Sequence, residues 1–384
     1  MILKRYILLV AATLLLAGCF RGRKPLDMGD FVPSYEPRYA TGFTLLSSPT
    51  MKSRMLHVRN PWQGAEGFDQ LALVLAEGEQ APEWFEGCVV EGAAERIVVM
   101  SSSYVAMLDA VGCADRIVGV SGLRYVMNEQ VRRAAEQGRV KEVGHEANLN
   151  FELIRALKAD LVLLYGVSGE LRSVTDKLKA LDIPYLYIGD YTEEEPLGKS
   201  EWLVALAALC GREEAGHAAF AEIERDYRAM QQRAEALRRE NPSPTVMLNV
   251  PYQDVWYMPS VDSYMVRLIE AAGGSYLYPQ NDTGRSLPIS TEQAMLLARR
   301  ADVWLNVGQF TSLDELRRAC PKFAKASSVT GGRVYNNNLR RGPHGGSDFW
   351  ESGAVYPSRI LADLMAIFYP SAEHGELYYY RHLK

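Results

Sequence analysis

Two stretches decide the fold: NFELIRALKADLVLLYG, Asn150–Gly166, and STEQAMLLARRADVWLNVG, Ser290–Gly308. Each opens on a polar residue with a glutamate just behind it (Glu152, Glu292) and continues through a Leu/Ala-rich helical pattern. Each then reaches a lone aspartate (Asp160, Asp302) and ends in an apolar run closed by glycine. Short apolar runs punctuated by glycine suit strands of a parallel sheet, where helices cover both faces and neither meets water. A helix-then-strand unit used twice predicts two similar α/β lobes, each presenting one glutamate.

The rest of the chain fits that frame. A length of 384 residues favours more than one domain. Hydrophobic residues at 48% and charged residues at 23% are ordinary for a globular protein, and a net charge of -5 excludes a chain-wide electrostatic footprint for nucleic acid.

The N-terminus reads as a targeting segment. Lys4-Arg5 precede an apolar run, Tyr6–Leu16, too short to span a bilayer comfortably, and Leu16-Ala17-Gly18-Cys19 places small residues before a cysteine. That tetrapeptide resembles the bacterial lipobox, which implies a signal peptide over 1–18 and a lipidated Cys19. The residues after Cys19 are basic, Phe20-Arg21-Gly22-Arg23-Lys24, and lack an acidic export signal, so a periplasm-facing anchor is expected. Prolines and glycines over 19–40 predict a flexible tether, and short β-like runs over 41–94 a β-rich addition. Cys88, Cys113, Cys210 and Cys320 are widely spaced, with no C-x-x-C. They fit neither a zinc site nor a dense disulfide framework and read as buried thiols, with one disulfide left open in an oxidising compartment.

The first lobe, 95–195, starts with the buried strand pattern of Glu95–Met100 and runs into Ser101-Ser102-Ser103-Tyr104 at a strand-to-helix turn. Open α/β sheets bind ligands at such turns, although serines there would also cap the helix. The connector, 196–243, holds two helical stretches, Ser200–Cys210 and Glu213–Glu240; in the second, Phe220, Ile223, Tyr227, Met230, Ala234 and Leu237 recur three and four apart. Pro242 and Pro244 stop it. The second lobe, 244–384, carries an aromatic loop, Pro251–Pro259, the second glutamate unit, an Asn336-Asn337-Asn338 run, and a loop over Arg340–Gly353 rich in Gly, Arg, His and aromatics.

No phosphate-binding P-loop, strand-linked G-x-G-x-x-G, G-x-S-x-G or H-E-x-x-H occurs. His344, Asp348 and Glu351 share one loop, but the intervening glycines and aromatics favour a ligand-facing or solvated loop over a metal site.

Lobe, long helix and lobe, with the Val143-Gly144-His145 and Asn150–Leu164 run in one half and Ser290-Thr291-Glu292-Gln293 with Ala301–Leu305 in the other, closely resembles the class III periplasmic substrate-binding proteins of ABC importers for iron-siderophores, haem and cobalamin. The resemblance covers roughly residues 95–370. It implies an α/β fold of two Rossmann-like lobes joined by a single long helix, with the ligand in the cleft between them and no catalysis. It also implies that Glu152 and Glu292 dock into arginine pockets of a permease dimer, although each also sits where it would favour a helix dipole. Under it the expected cleft residues are Ser102, Ser103, Tyr104, Arg124, Tyr125, His145 and Tyr165 on the first lobe. Those on the second are Tyr252, Trp256, Tyr257, Gln309, Asn336 and Arg340. Aromatics suit a flat or apolar chelate and arginines suit carboxylate or catecholate oxygens. His145 stands where haem-binding relatives tend to place a tyrosine iron ligand, a departure that leaves the haem reading open. No resident cofactor is expected, and the protein is expected to be a monomer anchored by its lipid. A chelatase-like enzyme on the same scaffold and a ligand sensor or adaptor are the alternatives.

Overall fold

The structure, a computed structural model, describes residues 27–169, 171–252 and 255–384. The signal-peptide and Cys19 readings lie outside the described residues. Five strands come first: β1 (Val32–Tyr35), β2 (Phe43–Ser47), β3 (Arg54–Arg59), β4 (Asp69–Leu75) and β5 (Cys88–Glu91). They pair in that order, antiparallel except for the parallel β4/β5 contact. Strand alternation sends Leu46, Met55, Leu71 and Leu73 to one face, with Phe31, and Leu45, Leu56, Val58 and Ala72 to the other, which joins the main core.

The flexible-tether expectation over 19–40 is corrected here, because β1 lies inside that stretch and the segment behind it is fastened down. The Glu201 carboxylate accepts from the Tyr35 hydroxyl and from the backbone N–H groups of Arg38, Tyr39 and Ala40 at 2.6–2.9 Å. Glu193 continues the clasp, accepting from Thr41 N, Gly42 N and Trp202 Nε1. These carboxylates, out of reach of any residue-by-residue reading, turn the segment into part of the core.

The first lobe contains β6 (Ile97–Val99), α1 (Ser102–Ala110), β7 (Ile117–Val120), α2 (Glu129–Glu136), β8 (Lys141–Glu142), α3 (Phe151–Ala156), β9 (Leu161–Tyr165), α4 (Arg172–Ala180) and β10 (Tyr185–Ile188). The sheet is wholly parallel in the order β10-β9-β6-β7-β8. The strand order reverses at β6, so a crevice opens beyond its carboxyl end, at Ser101–Ser103.

Two helices follow, α5 (Pro196–Leu209), buried along nearly its whole length, and α6 (Glu213–Glu240). At about 1.5 Å per residue, α6 is about 42 Å long. It buries Phe220, Ile223, Tyr227 and Ala234, with Met230 and Leu237 partly buried against the same core. Glu213 and Glu214 in its first turn and Arg238 and Arg239 in its last match the helix dipole.

The second lobe contains β11 (Thr245–Leu248), β12 (Val255–Met258), α7 (Tyr264–Ala271), β13 (Ser275–Tyr276), β14 (Leu287–Ser290), α8 (Thr291–Ala298), β15 (Val303–Leu305), α9 (Leu313–Ala319), α10 (Ser327–Thr330), β16 (Val334–Asn336), α11 (Pro357–Phe368) and β17 (Arg381–His382). Its main sheet runs β13-β11-β15-β16-β17, parallel until the antiparallel edge β17. Strands β12 and β14 form a separate antiparallel ribbon leading into α8.

The repeated sequence units are α3 with β9 and α8 with β15, and their aspartates do the same work. Asp160 accepts from the backbone N–H groups of Glu95 and Arg96, and Asp302 from Thr245 N and Oγ1. Each therefore ties the turn before its own strand to the start of the lobe's first strand, with which that strand pairs.

Candidate functional site

The carboxyl ends of both sheets face one cleft of about 350 Å3, lined by Ser102 and Tyr125 from the first lobe and by Gln309, Asn338, Arg341 and Trp350, among others, from the second. The loop after β16 closes one side by crossing to the first lobe. A Cβ built on Gly346 would lie 1.9 Å from the carbonyl oxygen of Tyr125, so only glycine lets the backbones approach that closely. Next to it, Glu351 accepts from the backbone N–H groups of Met127 and Asn128 at 2.8 and 2.6 Å. Asn128 in turn caps α2 through its side chain, so Glu351 holds the segment that carries Tyr125.

Burial pushes the Glu351 carboxyl up to about 7, although its two backbone hydrogen bonds pull the other way. The folded protein therefore keeps this proton to higher pH than the unfolded chain, whose ordinary value is 4.5. Stability from this group is fully present below the unfolded value and declines as pH rises through the folded one, by about 3 kcal/mol at most. Urea midpoints at about pH 5 and about pH 8 should consequently differ more in the wild type than in Glu351→Gln. Equal pH slopes in the two proteins would remove Glu351 as the source.

Of the sequence-predicted residues, Ser102, Tyr125 and Gln309 meet in this cleft. The Arg124 guanidinium stacks over the Tyr125 ring at 4.6 Å. His145 is exposed, its Nδ1 is 3.1 Å from the Ser121 hydroxyl, and its ring flanks Gly122 together with that of Tyr125. Tyr165 is half-buried at the end of β9, between the rings of Tyr104 and Tyr191, and burial raises its pKa.

Several expectations are corrected. Tyr104 is fully buried, and its hydroxyl donates to the carbonyls of Leu164 and Ile188, pinning β9 to β10. Ser103 is buried, its hydroxyl 2.9 Å from that of Ser101, whose side chain caps α1. Trp256 is fully buried against Trp304 and Phe323, and its Nε1 donates to Leu248 O. Tyr252 and Tyr257 are exposed around the β12–β14 ribbon and do not line the cleft. Asn336 is buried, and its amide donates to the carbonyls of Gly308 and Phe310, which shapes the turn presenting Gln309. Arg340 is held in its own loop by Asp348 at 2.6 Å and by stacking on Tyr378.

The cleft residues not anticipated, Asn337, Asn338, Arg341, Ser347 and Trp350, lie one to ten positions from ones that were. The signals were the asparagine run and the Arg340-Arg341 pair; which member faces the cleft depends on the path of the loop. His344, Asp348 and Glu351 are not gathered: the two carboxylates serve separate partners and His344 is exposed. Among the described residues no group of three or more potential ligands could hold a metal.

Glu152 and Glu292 are exposed in the first turns of α3 and α8, behind N-caps Asn150 and Ser290. A larger open hollow, about 580 Å3, lies beside Glu292 and is lined by the second lobe alone. Among the described residues no helix is long and apolar enough to cross a membrane.

The family profile described as periplasmic binding protein matches residues 97–337. The uncharacterized lipoprotein MJ0878 of Methanocaldococcus jannaschii is 25% identical over 73% of this chain and 66% of its own length, so the match spans just under two thirds of that relative. The fold is similar to a periplasmic heme binding protein from Pseudomonas aeruginosa, with 20% identity, a TM-score of 0.59, and 76% of this chain and 98% of that one covered. It is also similar to the siderophore binding protein FhuD from Vibrio cholerae, solved with Fe3+-Desferal, with 17% identity, a TM-score of 0.53, and 72% and 100% covered. With two α/β lobes joined by one long helix and a cleft between their sheet ends, the chain belongs to the periplasmic binding protein family, in its class III form.

Proposed function

We propose that this protein is a lipid-anchored periplasmic solute-binding protein that carries an iron chelate, siderophore or haem, or cobalamin to an inner-membrane ABC importer and catalyses nothing itself. The observation that carries this reading is a cleft built jointly by two lobes, each of which also presents an exposed glutamate at the same place in a repeated unit. Cys19 would hold the anchor, and Glu152 and Glu292 would meet the permease dimer. The haem- and ferric-siderophore-binding proteins of similar fold support the cargo class.

Within that class the lining favours a hydrophilic, anionic chelate. Ser102, Gln309 and Asn338 offer hydroxyl and amide groups, Arg341 offers a cation, and Tyr125 and Trp350 offer flat faces at the edge. A wholly apolar macrocycle would leave the polar groups desolvated and unpaired. Titration of the purified protein with ferric hydroxamate and catecholate siderophores, haem and cobalamin tests this directly. Arg341→Ala is expected to weaken binding of the preferred anionic chelate about 10- to 100-fold, as losing a charge-assisted contact does. Unchanged affinity in both Arg341→Ala and Trp350→Ala would put the ligand elsewhere. If haem binds, a Soret band that does not move on His145→Ala removes His145 from the site.

A further inference from the structure

Two cysteines far apart in sequence lie side by side in the structure. Cys113 follows α1 and Cys210 caps the end of α5. Both are essentially fully buried in the same core cluster, where each thiol is the strongest influence on the other's acidity, and the Cys113 thiol donates to the Val111 carbonyl at 3.7 Å. The backbone independently places the two segments together. Arg116 donates its backbone N–H to the carbonyl of Cys113 and its guanidinium to that of Cys210, at 3.1 and 2.8 Å. Ala94 N donates to Leu209 O, and a Cβ built on Gly112 would lie 3.6 Å from the Arg212 guanidinium.

We propose that Cys113 and Cys210 form an intramolecular disulfide that staples the first lobe to the root of the connecting helix α6. All four described cysteines are thiols in the structure; Cys88, buried on β5, and Cys320, at the end of α9 in the other lobe, lie on other elements and stay outside the proposed bond.

The chemistry needs a disulfide as oxidant, for which glutathione disulfide serves. The Cys113 thiolate attacks one glutathione sulfur, forming a mixed disulfide and releasing one glutathione thiolate. Cys210 then loses its proton, and its thiolate attacks the Cys113 sulfur and releases the second glutathione. Two protein thiols are oxidised and one glutathione disulfide is reduced to two thiols. Because both sulfurs are buried, the bond forms while the chain folds.

The staple's position gives it a role. The long helix leaves the first lobe immediately after Cys210. A bond there fixes the angle at which the helix departs and closes a long loop of the unfolded chain.

The test is refolding of the full chain carrying Cys19→Ser, which leaves four cysteines, with glutathione disulfide, followed by counting of reactive thiols under denaturing conditions and non-reducing peptide mapping. The expected result is one cross-link, between the peptides holding Cys113 and Cys210, with Cys88 and Cys320 still reactive. The reductant-induced drop in thermal midpoint should be several degrees and should vanish in the Cys113→Ala/Cys210→Ala double variant. Four reactive thiols, or a cross-link between any other pair, overturns the proposal, and the wild-type thiol count stands even if the variant does not fold.

Discussion

Glu201→Ala is expected to destabilise the protein by about 4 kcal/mol, because it strands four donors at once in a buried place. The carboxylate is fully buried and accepts from Tyr35 Oη and from three consecutive backbone N–H groups, Arg38 to Ala40. Hydrogen bonds to a charged acceptor contribute about 1.5–3 kcal/mol each, but the losses do not add, since a relaxed segment recovers some partners from water. A loss of this size is a large share of the roughly 5–15 kcal/mol that holds a typical domain. Glu201→Gln should fall between wild type and alanine, since its NH2 group would face backbone donors. Urea unfolding measures the loss, and limited proteolysis should find the new cleavage between residues 36 and 42. A change below about 1 kcal/mol, with no new cleavage, would show that the clasp is redundant.

The double change Glu152→Ala/Glu292→Ala is expected to leave ligand affinity within about twofold and reduce uptake in cells by more than about tenfold, with each single change intermediate. Both residues are exposed in first helical turns, so their removal should cost the fold only a few tenths of a kcal/mol. The expectation rests on the proposed importer, where a carboxylate on each lobe makes a directional contact with an arginine and senses the spacing between lobes. Uptake at wild-type level with the double variant would end the importer reading while leaving the cleft intact. Lost affinity would instead show that these residues act on the ligand or the fold.

The two-lobed architecture was legible because it rests on local pattern. The apolar runs of Leu161–Tyr165 and Val303–Leu305 must be buried wherever they go, and the stripe on Glu213–Glu240 can only be a helix packed along one face. The cleft was legible only by neighbourhood. Tyr104 and Trp256 looked like ligand-facing aromatics, yet both turn inward, where their polar atoms find backbone carbonyls and their rings fill the core. Arg340 and Arg341 are equivalent as residues, and the Asp348 partner that occupies Arg340 is a fact of the folded loop.

The C-terminal segment behaves in the same way. The Asp363 carboxylate on α11 accepts from the backbone N–H groups of Tyr378, Tyr379 and Tyr380, and β17 completes the second sheet. Sequence alone determined the features set by periodicity and composition: two α/β units, a long helix between them, and a glutamate opening each repeated helix. Tertiary structure decided the features that depend on pairs distant along the chain: the Glu201 clasp, the Glu351 contact between lobes, the meeting of the segments that hold Cys113 and Cys210, and the residues that face the cleft. The physical reason is range. Burial patterns repeat within a few residues and can be read from one segment, whereas a buried carboxylate or thiol is defined by a partner that only the folded chain brings to it.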